Sequence, residues 1–182
     1  ELQARWLAAN AFSPILRTHE GLTPGDNAQI YSSEYNLEFF VYFSKVYATL
    51  WDYRKQVFAE ASSTGVPALR HMMLEFPNDP RSYEMTRYQY LMGSDLLVAP
   101  VVEEGAKTRK VYLPGENIEW VHFFTGKTYA SGSEVTVNAP LGETPVFFKS
   151  TNKILKRASL VSRRLVKSFL GKNMKNPLCL PG

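Results

Sequence analysis

Arg17, Thr18, His19 and Glu20 stand directly after the short apolar run Ile15-Leu16, and their types and spacing suit chemistry better than any other polar cluster in the chain. A neutral imidazole carries one donor and one acceptor, which matches a hydroxyl that gives one hydrogen bond and takes another. Arg17 adds a permanent cation two residues before it, and Glu20 a carboxylate one residue after. A lone histidine is ordinarily structural, so the functional reading depends on which elements hold these four residues and where.

Upstream, Glu1 to Asn10 places Leu2, Trp6 and Ala9 on one stripe and reads as the end of a helix. Pro14 closes it, and Phe12 to Arg17 turns extended. No capping residue precedes Leu2, so the chain is expected to begin inside an element of a longer protein, with any signal for its compartment out of view. Downstream, Gly21 to Asn27 holds Pro24, Gly25 and Asp26 and reads as a loop. Tyr35 to Ser62 then carries Phe39, Phe43, Val46, Leu50, Tyr53 and Val57 at spacings of three and four. That pattern predicts one long helix, covered on most sides because its polar stripe (Glu38, Lys45, Asp52) is narrow. Helix, short buried strand, polar loop and long helix make one unit of a (β/α)8 TIM barrel, where function gathers at the ends of strands. Ile15-Leu16 is then a barrel strand, and Arg17 to Glu20 lie on its C-terminal rim.

After Thr64-Gly65 the composition changes. Val66 to Phe76 reads as extended, Pro77-Asn78-Asp79-Pro80 as a turn, and Ser82 to Met92 as one short helix. Brief strands follow at Leu96–Ala99, Lys110–Leu113, Trp120–Phe124, Glu134–Val137 and Val146–Lys149, separated by turn residues. This is the signature of a small antiparallel β-sandwich. The fold class expected is therefore α/β plus all-β: the last part of a (β/α)8 barrel in residues 1–64, a β-sandwich domain in 65–150, and a tail in 151–182.

Further candidates outside the rim read as structural. Arg70-His71 suggests an interdomain ion pair more than a metal or phosphate site. Asp79, Asp95 and Glu103-Glu104 fall in turns and strand ends, where solvated faces explain them. His122, between Val121 and Phe123, is expected to face outward. Trp120, Phe124 and Tyr129 could form an aromatic binding platform, but packing on a sheet is the simpler account.

The net charge of +4 hides a division. Eight of the 21 Lys and Arg residues follow Ser150, where there is no Asp or Glu, leaving 13 bases against 17 acids in the body. An acidic body argues against a nucleic-acid partner, which needs a basic face. In the tail, Ile154, Leu155, Ala158, Val161, Leu165, Val166 and Phe169 share one side of a helix, opposite Lys153, Lys156, Arg157, Arg163, Arg164 and Lys167. Such a helix either packs on its own protein or meets an anionic membrane surface or acidic partner, and packing is the simpler expectation. No apolar run reaches the roughly 20 residues of a membrane span. Cys179 alone forms no internal disulfide and supplies no metal site.

Several motifs in order carry a resemblance. Arg5-Trp6, Ala11-Phe12-Ser13-Pro14 and Arg17-Thr18-His19-Glu20-Gly21 resemble glycoside hydrolase family 31 where a helix leads into the eighth barrel strand. Gly65-Val66-Pro67 with Arg70, Leu74-Glu75-Phe76-Pro77, Gln89 to Gly93, Leu96 to Val101, Tyr112-Leu113-Pro114, Trp120, Thr125-Gly126 and Pro145 to Phe148 follow in the family's order. His71, where the family usually has Pro, and Ser131, which breaks a common Gly-Gly pair, depart from it. Arg17 to Gly21 followed by Pro24-Gly25-Asp26-Asn27 and Gln29 is most similar to the sulfoquinovosidase branch, whose substrates are α-glycosides of a sugar sulfonated at carbon 6.

The resemblance implies a retaining glycosidase with an aspartate nucleophile and an aspartate acid/base, both on earlier barrel strands. This chain alone is then inactive. What carries over is substrate binding: His19 to the ring hydroxyls of the sugar, with Arg17 the next candidate or a structural ion pair. Glu20 takes neither catalytic role. The expected partner is a small α-glycoside, glucoside or sulfoquinovoside, and no cofactor or metal is expected. The competing reading is a non-catalytic β-sandwich binding or scaffold module with a basic membrane- or partner-binding helix.

Overall fold

The computed structural model describes residues 1–19, 21–84 and 88–173. Its strands are β1 (Leu69–Arg70), β2 (Tyr90–Met92), β3 (Leu96–Val98), β4 (Thr108–Leu113), β5 (Glu119–His122), β6 (Thr128–Ala130), β7 (Ser133–Asn138) and β8 (Val146–Lys149). Six of them form an antiparallel sheet in the order β1-β2-β3-β8-β5-β6, and β4 pairs with β7 in a separate ribbon. The helices are α1 (Leu2–Asn10), α2 (Glu34–Thr49), α3 (Trp51–Thr64), the short α4 (Met72–Glu75) and α5 (Arg81–Glu84), and α6 (Lys153–Asn173).

Alternation along the central strands divides the apolar residues between two cores. Met92, Leu96, Val98, Val146 and Phe148 meet the helical layer, where Phe12, Phe43, Val46, Leu50 and Leu155 are buried. Leu91, Leu97, Trp120 and Phe147 face the ribbon and pack with Val111, Leu113 and Val137. The molecule thus has three layers: helices, sheet and ribbon. A sheet covered on both faces needs apolar residues at consecutive positions, which is why Leu96-Leu97-Val98-Ala99 is a continuous run.

The same double cover corrects the reading of His122, which is buried, not outward-facing. It shares the ribbon-side face of β5 with Trp120, its ring edge-on to Phe147 at 5.0 Å. Its Nδ1 accepts from the Thr125 backbone N–H at 3.2 Å, and burial lowers its pKa to about 4. Trp120, fully buried, donates to the Pro114 carbonyl at 3.0 Å and is a sheet-packing residue.

Three further expectations change. The predicted single helix over Tyr35–Ser62 is two helices meeting at Leu50, whose N–H turns back to the Tyr47 carbonyl. Gly65, at φ +76°, ends α3 in the left-handed conformation that glycine adopts without a Cβ clash. Val66 to Phe76 is extended only over β1, because His71 caps α4 by accepting the Met73 N–H at its Nδ1. Ser82 to Met92 holds the end of α5 and the strand β2, with Met85 to Arg87 outside the described residues.

Arg70 is the ion pair expected of it. Its buried guanidinium meets Glu60 on α3 at 2.6 Å and Glu75 on α4, so it joins the helical and β halves. Asp79 and Asp95 are more than solvated turn acids. Asp79 accepts the Tyr112 hydroxyl at 2.6 Å, and Asp95 accepts Asn152 Nδ2 at 2.9 Å beside Lys149 Nζ at 3.1 Å. Gly93, at φ +62°, admits no side chain, since a Cβ there would stand 2.6 Å from the Tyr53 hydroxyl.

The tail helix packs on the body. Asn152 caps it, Leu155 and Ala158 enter the helical core, and Ser159 Oγ donates to the Phe123 carbonyl at 2.6 Å. Its outer face keeps Lys153, Lys156, Arg157 and Arg164 exposed. Cys179 lies outside the described residues.

Candidate sugar-facing segment

The turn from α1 toward Arg17 is held at nearly every residue. Phe12 is fully buried, edge-on to Phe123 at 5.2 Å and to Phe124 at 5.9 Å. Ser13 Oγ lies within hydrogen-bond distance of the Asn10 and Ile15 carbonyls, at 2.9 and 2.8 Å. From α3, Arg54 sends Nη2 to the Ala11 carbonyl at 2.7 Å and Nε to the Ser13 carbonyl at 3.1 Å. From α2, the Tyr47 hydroxyl donates to the Pro14 carbonyl at 2.7 Å. Arg5 ties α1 itself to the far end of the ribbon, donating to the carbonyls of Ala106, Ala139 and Pro140.

Beyond Leu16 the anchoring stops. Ile15 is 67% exposed and Leu16 packs partly on the helical core, and the two form no strand. This corrects the expectation of a strand there: a strand is made by the neighbours it pairs with, and among the described residues none lies beside this run. Arg17, Thr18 and His19 are all exposed. Among the described residues Arg17 and His19 make no hydrogen bond or ion pair, so neither bridges two parts of the described fold. Glu20 lies outside the described residues.

The loop that follows is built from its own polar side chains. Asn27 Nδ2 donates to the Thr23 carbonyl at 2.7 Å and packs on Gly21, where an added Cβ would meet it at 3.0 Å. Ser33 caps α2 through the Asn36 N–H, and Asn36 Nδ2 returns to the Gln29 carbonyl at 3.3 Å. The arrangement is a fixed base and a short exposed span carrying a cation and an imidazole, closed by a self-bonded loop. It offers donors and an acceptor to a polar ligand, with Asp26 an exposed carboxylate in the loop beyond.

Arg54 and Tyr47 escaped the sequence reading. Their signal was present: Arg54 falls on the buried stripe of Leu50, Tyr53 and Val57, a charge where the period calls for an apolar residue. A buried cation of this kind needs partners, and here they are carbonyls.

Comparisons with known proteins agree with the motifs. A family model described as the glycosyl hydrolase family 31 C-terminal domain matches residues 65–155. The chain is 44% identical over 150 residues to a sulfoquinovosidase of Agrobacterium fabrum, covering 82% of this chain and 22% of that protein. It is 42% identical over 153 residues to a sulfoquinovosidase of Escherichia coli K12, covering 84% and 22%. A solved GH31 family sulfoquinovosidase from E. rectale, in complex with the aza-sugar inhibitor IFGSQ, superposes with a TM-score of 0.81 at 36% identity, over 88% of this chain and 23% of that one. The chain therefore spans under a quarter of the length of these relatives. On its matched residues and its identity to these enzymes, the chain belongs to glycoside hydrolase family 31.

Proposed function

We propose that this chain is the C-terminal part of a retaining glycosidase that cleaves α-sulfoquinovosides or α-glucosides. Residues 1–64 complete a (β/α)8 barrel, 65–150 form its C-terminal β domain, and 151–182 are a tail whose first helical turns pack on the body. In this reading Ile15-Leu16 becomes the last barrel strand once its neighbours flank it, and Arg17 and His19 stand on the rim beside the cleavage subsite. His19 exchanges hydrogen bonds with ring hydroxyls of the sugar, and Arg17 supplies positive charge next to it. The nucleophile and the acid/base, two carboxylates, come from the remainder of the parent protein. The sulfoquinovoside reading is supported by the identity to two sulfoquinovosidases.

The observation that carries the proposal is the exposure of Arg17 and His19, without partners among the described residues, at the end of a segment anchored through Pro14. A second feature supports the missing barrel. Leu2, Trp6, Ile15, Leu37 and Val41 leave an apolar surface on the helical layer. Soluble domains rarely keep such surface uncovered.

The test is kinetic, on the intact parent with nitrophenyl α-glucoside and nitrophenyl α-sulfoquinovoside. His19→Ala is expected to lower kcat/KM by about 10- to 100-fold, the loss of hydrogen bonds that strengthen in the transition state. The 182-residue chain alone is expected to release no nitrophenol. Unchanged kinetics in His19→Ala would remove it from the site.

A further inference from the structure

We propose that Arg54, stacked on Tyr47, is the positioning residue of the sugar-facing segment and sets where His19 stands; this rests on the reading of His19 as a sugar ligand. The guanidinium is 1% exposed and lies over the Tyr47 ring, 3.4 Å from its centroid. All its hydrogen bonds go to backbone carbonyls: Ala11, Ser13 and, at 2.5 Å, Tyr47. Among the described residues it meets no carboxylate. Ala11 closes α1, and Tyr47 lies in the last turn of α2, so the cation sits where two helices present their negative ends.

A buried charge of this kind is a poor way to gain stability, because a well-packed apolar side chain of similar volume commonly serves as well or better. What the charge provides here is geometry. A planar fork fixes two carbonyls of the 11–14 turn in direction as well as in distance. The Tyr47 hydroxyl adds the Pro14 carbonyl, so one stacked pair holds three carbonyls within four residues. His19 makes no hydrogen bond or ion pair among the described residues, and its approach to a sugar is set by the fixed turn before it and the self-bonded loop after it. A displacement of the turn by an ångström is carried to the imidazole, and errors of that size at a reacting centre cost large factors in rate.

The experiment uses the intact parent and a double-mutant cycle. Tyr47→Phe removes only the phenol–carbonyl bond and keeps the ring under the guanidinium; Arg54→Lys keeps the charge and loses the fork. Each is expected to lower kcat/KM for the better nitrophenyl substrate by about fivefold or more. Thermal melting of Tyr47→Phe is expected to stay within a few degrees of the parent. On a His19→Ala background, neither change is expected to lower kcat/KM further, because the residue through which they act is gone. Equal fold-losses with and without His19 would show a general structural effect and overturn the proposal, as would wild-type kinetics in Tyr47→Phe. If His19→Ala itself has no effect, the sugar-ligand reading fails and the positioning role falls with it. If His19→Ala is damaging and the losses add, only the positioning role fails.

Discussion

The two faces of the central sheet are finished to different degrees. On the ribbon side Trp120, Leu97 and Phe147 are fully buried, and β4 and β7 close over them with strand-to-strand pairing along their length. On the helical side the core beneath is just as dry, yet the outer surfaces of α1 and α2 leave Leu2, Trp6, Leu37 and Val41 open. The difference separates two kinds of burial. The interior between sheet and ribbon is closed by this chain's own strands, whereas the outer faces of α1 and α2 carry large apolar side chains that, in the reading proposed above, further barrel elements cover.

The largest effect expected from that contrast is at Trp120. Its replacement by Ala empties the ribbon-side core and leaves the Pro114 carbonyl unpaired, at a cost of about 3–5 kcal/mol in chemical denaturation. A loss below about 1 kcal/mol would mean that this core is looser than its burial shows.

Next in size is a pH effect at His122. The unfolded ring takes up a proton near pH 6.5, and the buried ring only near pH 4, so between these values the unfolded chain binds more protons. Stability is therefore expected to fall as pH drops from 6.5 toward 4, by at most about 3 kcal/mol from this group. Glu143 works the other way, because burial raises its pKa and the fold takes up its proton first as pH falls. Comparing denaturation across this range in wild type and His122→Gln isolates the histidine, and an equal slope in both would contradict the assignment.

A smaller effect in one context and a larger one in another is expected at Trp6. Replacing it with Ser is expected to change the melting of the 182-residue chain little, within about 0.5 kcal/mol, because the ring is 62% exposed. In the intact parent the same change is expected to cost about 2 kcal/mol or more, since the barrel then buries the ring. Equal effects in the two settings would show that nothing covers this face.

Much of this was legible in the residues. Runs such as Leu96 to Ala99 and Val146 to Lys149 sit between turn residues and are apolar on both alternations, so they declared themselves as buried strands. The ion-pair role of Arg70 was also expected, from its place in an extended run. His122 was misread because alternation gives the face of a residue but not whether that face is covered. The break at Leu50 was hidden because local periodicity continues through it, while the Tyr47 carbonyl is taken by Arg54, seven residues along. Arg17 and His19 were nominated by type and position, but the side chains that fix the turn before them come from two helices well downstream and become visible only in three dimensions.

The most direct measurement is a crystal structure of the intact parent, with its catalytic nucleophile inactivated, bound to an α-sulfoquinovoside or α-glucoside. A ring nitrogen of His19 is expected within about 3.2 Å of a hydroxyl of the bound sugar, with the Ala11 and Ser13 carbonyls still held by Arg54. A sugar seated at the cleavage subsite with His19 turned away, beyond about 4 Å and bonded to protein instead, would contradict the account.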